Sequence, residues 1–250
     1  MSQLVKVQAE LATLAYPQVG SVCSVSESGE PIIGKLASSV GEFCDAGPFS
    51  RAVEYFTAVA NAALALLDSS SRLGAFVFRD ILQKITLFGD IDTVKRFPLN
   101  YMDLGTQNIL VDNDFNFIAI IDWEFAQTAP WQVNRYPMPF PLLGLDIEDI
   151  LRNPSYLAYK NVLQQELSRK LYSQKVQETE RKLTKEGRSL RGSFNNTLNG
   201  PASRIYACFT NLARLLQADG ELVCEMARLG FRLDRHGVEE YVREIEQCTS

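Results

Sequence analysis

Residues 101–123 read YMDLGTQNILVDNDFNFIAIIDW, and no other stretch limits the fold of this 250-residue chain so closely. Two apolar runs, 109–111 and 117–121, flank a polar turn at 112–116, which spells a β-hairpin. Cross-strand partners in a hairpin keep a constant sum of residue numbers. A turn centred near Phe115 therefore sets Asn108 opposite Asp122, within a residue or two. Directly opposed residues lie roughly 4.5–5.5 Å apart, so an amide oxygen and a carboxylate meet at one point. Hard oxygen ligands of this kind suit Mg²⁺, which keeps part of its water shell and takes further oxygens from a nucleotide phosphate. Asp103 stands in the loop just before, free to accept a proton from an incoming hydroxyl. The expected layout is that of a phosphoryl-transfer site.

Asp103-x-x-x-x-Asn108, followed after the hairpin by Ile121-Asp122-Trp123-Glu124, resembles the aminoglycoside phosphotransferase and choline kinase group of the protein-kinase-like superfamily. The usual pattern there is His-x-Asp-x-x-x-x-Asn and then Ile-Asp-Trp or Ile-Asp-Phe. The residues that follow, Phe125-Ala126-Gln127-Thr128-Ala129-Pro130-Trp131 and Tyr136-Pro137-Met138-Pro139-Phe140-Pro141, are similar to a large fungal branch of the group. The likeness is concentrated in residues 97–145 and runs in diluted form from Ala9 to the end of the chain. It implies transfer of the γ-phosphoryl group of ATP to the hydroxyl of a small-molecule substrate. Asp103 would orient and deprotonate that hydroxyl. Asn108 and Asp122 would hold Mg²⁺ across the ATP phosphates and so bind the cofactor. Tyr101 and Met102 would position the loop.

Two departures accompany the resemblance. The family histidine falls on Tyr101, whose hydroxyl can still hydrogen-bond and prop the loop. The second departure is larger. A β-rich N-terminal lobe with a glycine-rich loop and a strand lysine normally grips the ATP phosphates, yet only about a hundred residues precede Asp103. Gly20, Gly29 and Gly34 match neither G-x-G-x-x-G nor the Walker spacing, and read as turn and strand-end glycines. Lys35 reads as solvated. A catalytically silent, pseudokinase-like binding module, or a family member lacking the ATP-grasping lobe, is therefore the alternative to an enzyme.

Elsewhere the chain patterns as a mostly helical α+β protein. Apolar residues at 4, 7, 11 and 14 mark a helix that Pro17 ends, and 19–25 with 31–36 read as a hairpin. Helices are expected at 51–67 behind a Ser50 cap, at 76–87, after Asp146, and at 155–185. After a polar loop at 192–200, three more are expected near 202–218, 220–229 and 237–247. The fold class this implies is the helical C-terminal lobe of a protein-kinase-like fold with a small catalytic β-hairpin and the N-lobe truncated. Residues 1–48 form a linker helix and hairpin, and 49–250 the lobe. No five-stranded sheet is expected over the site.

Composition removes other classes. A net charge of −5 and a pI of about 5.1 give no overall basic field for nucleic acid or anionic membrane. The longest apolar stretch, 58–67, is too short to span a bilayer, and the N-terminus offers no signal-peptide core. Five scattered cysteines without a CxxC pair read as reduced thiols of a cytoplasmic protein. Residues 160–191 carry nine Lys/Arg against four Glu, read as a solvated helix face. His236, the only histidine, reads as a loop or cap residue, and a single histidine cannot build a His-based zinc cluster. Glu124 is either an outer-shell metal partner or a solvated carboxylate. Nothing in residues 125–218 spells the acceptor, and the oligomeric state is equally unspecified.

Overall fold

The computed structural model describes residues 1–36, 46–90, 96–101, 103–136, 147–188, 190, 192–214 and 219–249, without the side chains at 69, 70, 248 and 249. In chain order the first elements are α1 (Ser2–Leu11), β1 (Ala15–Tyr16), β2 (Gly20–Val25), β3 (Pro31–Ile33), α2 (Ala52–Leu66) and α3 (Ser69–Lys84). Then come β4 (Phe97–Tyr101), β5 (Ile109–Val111), β6 (Phe117–Ile120) and β7 (Ala126–Thr128). The remainder is helical: α4 (Ile147–Arg152), α5 (Tyr159–Lys185), α6 (Phe194–Asn199), α7 (Pro201–Phe209), α8 (Asp219–Phe231) and α9 (Arg235–Thr249). The chain is thus α+β, as its patterning implies. Its contacts divide into two compact units, residues 1–59, 89–131 and 172–195 in one, and 60–88, 132–171 and 196–250 in the other.

The first unit is built on a five-stranded antiparallel sheet in the order β1-β4-β7-β2-β3, with β5 and β6 pairing separately as a two-stranded hairpin. The expected hairpin of 19–25 with 31–36 is present as β2 and β3, but it is part of this larger sheet and does not stand as a small separate unit. β7, a three-residue strand directly after the candidate site, pairs with β4 on one side and β2 on the other. The N-terminal strands and the strand leading to Asp103 therefore share one sheet. Thr128 fastens the junction: its buried hydroxyl accepts from the Gly20 amide at 3.0 Å and donates to the Gln18 carbonyl at 2.6 Å.

Gly20 allows the close approach. A Cβ at this position would lie 2.0 Å from the Gly34 carbonyl oxygen, a backbone atom that cannot swing aside. Gly20→Ala is expected to destabilise the protein by about 3 kcal/mol, the upper end of what overpacking costs. Urea denaturation would measure this, and a change under about 0.5 kcal/mol would show that the sheet junction is looser than described.

Several helix starts depend on carboxylates, some local and some distant in sequence. α2 starts at Ala52 rather than behind a Ser50 cap, because Glu54 accepts from the Ser50 and Arg51 amides (3.1 and 3.2 Å) and Asp90 from the Ala52 amide (2.7 Å). The expected polar loop 192–200 contains α6, whose first amides, Phe194 and Asn195, donate to Glu180 of α5. α7 stops at Phe209, short of the expected 218. His236 is not in a loop; it lies in the first turn of α9, 3.4 Å from Glu240. The basic stretch of α5 is indeed an outward face, laced by Lys170–Glu166, Lys175–Glu178 and Lys182–Glu186 pairs. Met102, residues 137–141 and Asp146 lie outside the described residues.

The second unit packs α3 and α7 against α8, and α9 against α8 and α3. Phe78 stacks on Phe209 at 4.2 Å and meets Phe88 edge-on at 5.2 Å, filling the space between α3 and α7. Gly230 on α8 admits Ile81, whose side chain would sit 2.7 Å from a Cβ there. Burial lifts the Cys208 thiol to about 12, so it is a packed, unreactive side chain.

Candidate active site

β4 delivers the chain to Asp103, and a single 3-10 turn, Thr106–Asn108, separates that residue from the hairpin. The short loop folds back because Asn108 reaches into it. The Asn108 side chain is 5 % exposed, and its amide nitrogen donates to both the backbone carbonyl and a carboxylate oxygen of Asp103, each at 2.9 Å. Asp103 and Asn108 are therefore brought together directly. Gln107 adds a longer contact to the other Asp103 oxygen at 3.4 Å, a partner that sequence reading missed although it lies next to Asn108.

The hairpin register pairs Ile109 with Ile120 and Leu110 with Ala119, a constant sum of 229 that breaks by one at a bulge before Val111 and Phe117. Extending it sets Asn108 opposite Ile121, and the Ile121 amide donates to the Asn108 carbonyl at 3.0 Å. Asp122 thus follows the expected partner by one residue. The reason is the turn centre, which the Val111–Phe117 pair and the bond from the Asp112 amide to the Asn116 carbonyl place at Asp114 and not at Phe115; the bulge recovers one of the two residues by which that shifts the register.

Asp122 occupies the left-handed region, with φ 62° and ψ 53°. This conformation is uncommon for residues other than glycine, with Asp and Asn the usual exceptions. Two aromatic side chains hold the segment in place. The Tyr101 hydroxyl bridges the carbonyls of Ile121 and Asp122 at 2.9 and 2.7 Å, sharing its one proton between them. Trp123 stacks on Tyr101 with ring centres 5.1 Å apart, and its indole N–H donates to the Ile120 carbonyl at 2.8 Å. Three successive carbonyls are gripped from one side. The Asp122 side chain itself stays exposed, free for a ligand.

The electrostatics connect the same residues. Burial pushes the Tyr101 phenol above its ordinary 10.0, and the negative charges of Asp103 and Asp122 push it further. One buried hydroxyl therefore feels both carboxylates, with Glu124 a smaller contributor. Because the folded value exceeds the unfolded one, the neutral phenol's contribution to stability is complete below about pH 10 and fades as the pH climbs through the raised value. At neutral pH Tyr101 is always a donor.

Chemically, Asp103 and Asp122 supply two carboxylates whose charges both reach the Tyr101 hydroxyl, and Asn108 supplies an amide in contact with Asp103. Among the described residues, no group of three or more His, Cys, Asp or Glu side chains is arranged to hold a metal ion by itself. Carboxylate and amide oxygens are hard donors. Among the described residues no helix is long and apolar enough to cross a membrane. No protein-family model, curated protein or solved structure matches the chain.

Proposed function

We propose that the protein is an ATP-dependent phosphotransferase acting on the hydroxyl of a small molecule. The observation that carries this reading is the contact of Asn108 with Asp103, next to a left-handed Asp122 held by Tyr101. A general base, an amide ligand and a carboxylate ligand are what phosphoryl transfer requires of a protein, because catalysis there is positioning plus charge stabilisation. The order of these residues in residues 101–124 and their resemblance to the aminoglycoside phosphotransferase group support the same reading. Asn108 and Asp122 would hold Mg²⁺, and when bound the ion would neutralise charge developing on the transferring phosphoryl group. Asp103 would orient the acceptor hydroxyl and take its proton. Tyr101 would keep the Asp122 backbone in place without touching substrate.

A silent binding module is the second reading, and one observation favours it. Lys6, an N-terminal lysine, pairs with Glu10 at 3.9 Å and lines a groove of about 400 Å³ with Lys182 and Arg188 of the α5 region. It serves a different surface. Calorimetric titration of ATP with and without Mg²⁺ separates the readings. Mg²⁺-dependent ATP binding is expected, and Asp122→Ala should weaken it by about tenfold or more, since a charged ligand facing the phosphates is lost. An unmodified protein that binds no nucleotide would make the silent module the correct reading.

A further inference from the structure

The geometry points to Gln3 as a positioning residue for the candidate site, acting through the hairpin that links Asn108 to Asp122. The Gln3 side-chain amide donates to the Phe115 carbonyl at 3.1 Å and accepts from the Phe117 amide at 2.7 Å. Both contacts fall on one edge at the tip of the β5–β6 hairpin. A single side chain thus satisfies a donor and an acceptor as a neighbouring strand would. These groups are separated from Gln3 by more than a hundred residues of chain.

The rest of α1 is tied to the other arm of the site. Val5 and Ala9 are fully buried, and α1 packs on β4. The turn after α1 continues the attachment: the Leu14 carbonyl accepts from the Leu99 amide at 2.7 Å, and Ala15 and Tyr16 pair with Pro98 and Phe97. Farther along α1, the Tyr172 hydroxyl of α5 donates to Gln8. β4 leads into Tyr101 and Asp103, whereas the hairpin carries Asn108 at its start and Asp122 just past its end. α1 therefore braces the two arms against each other. The hairpin needs such a brace, because an isolated two-stranded hairpin is marginal in water. Leu110, Val111, Phe115 and Ile118 are all exposed, so burial supplies little.

Only the expected effect on nucleotide binding rests on the proposed phosphotransferase reading; the brace itself does not. The test uses the full chain with Gln3→Ala and Gln3→Met, the second keeping side-chain length without the amide. Hydrogen exchange at the Phe117 amide should accelerate by about tenfold or more in both variants. The NMR signals of the Asn108 side-chain amide and the Asp122 backbone amide should shift. Mg·ATP affinity should fall about three- to tenfold, with the global unfolding midpoint little changed. Unchanged exchange at Phe117 would overturn the clamp. Faster exchange with unmoved Asn108 and Asp122 signals would overturn its positioning role. Absence of Mg·ATP binding to the unmodified protein would sink the phosphotransferase reading alone, and the exchange and NMR results would still decide the brace.

Discussion

Asp103→Asn should lower phosphoryl transfer by about 10²–10⁴-fold while leaving Mg·ATP affinity within about twofold. In the proposed function the base would act on the acceptor hydroxyl, and its loss would remove a proton acceptor from the transition state without removing a ligand from the nucleotide. The substitution also spares the local fold. Asparagine keeps an oxygen where Asn108 donates at 2.9 Å, and the backbone carbonyl that accepts the second bond is untouched. Transfer of labelled phosphate from ATP to a panel of hydroxyl compounds would supply the rate, and calorimetry the affinity. An equal fall in nucleotide affinity for Asp103→Asn and Asp122→Ala would defeat the assignment of separate roles. Retention of full turnover in Asp103→Asn would remove the base from the mechanism altogether.

Glu225→Gln should cost about 3 kcal/mol of stability, the largest folding effect expected of a single polar substitution here and the low end for breaking a buried ion pair, because both arginines reach solvent. The Glu225 side chain is 0 % exposed and holds two guanidinium groups. Arg204 approaches one carboxylate oxygen at 2.7 Å, and Arg228 binds both oxygens at 2.7 and 2.9 Å. Glutamate thereby raises the Arg228 pKa, through its hydrogen bonds and its charge. Glutamine preserves shape but leaves two guanidinium groups facing a neutral amide, and solvent at the partly exposed Arg204 and Arg228 side chains, 27 % and 41 % accessible, offsets part of the loss. A fall in the thermal midpoint of about 10 °C is the corresponding signal for a chain of this size. A loss below about 1 kcal/mol would show that water reaches the cluster and screens it. Activity per folded molecule should be unaffected, since none of these residues lies in the candidate site.

The two substitutions also differ in how far each position was legible in advance. The Asp103–Asn108 pair could be read from the chain because it is local. Five residues separate the partners, and the contact forms whenever one turn joins strand to hairpin. The hairpin was legible for the same reason: alternating apolar runs around a polar turn specify their own partner. Its register was legible only to within a residue or two, because neither the turn centre at Asp114 nor the bulge between Leu110 and Val111 leaves a compositional mark. Glu225 reads as an ordinary helical glutamate until α7 brings Arg204 to it.

Local chemistry therefore determined the hairpin, the spacing of Asp103, Asn108 and Asp122, the α+β class and most helix cores. Tertiary structure alone decided the five-stranded sheet, the starts of α2 and α6, and the brace from Gln3. β7 is only three residues long and pairs with strands on either side that begin 29 and 106 residues earlier in the chain, at Phe97 and Gly20. Asp90 caps a helix that begins 38 residues before it, and Gln3 meets a hairpin 112 residues away. Hydrophobic period and turn residues tell a segment what shape to take. They carry no information about which distant donor or acceptor will meet its unpaired backbone groups, and that pairing is settled only when the whole chain has packed.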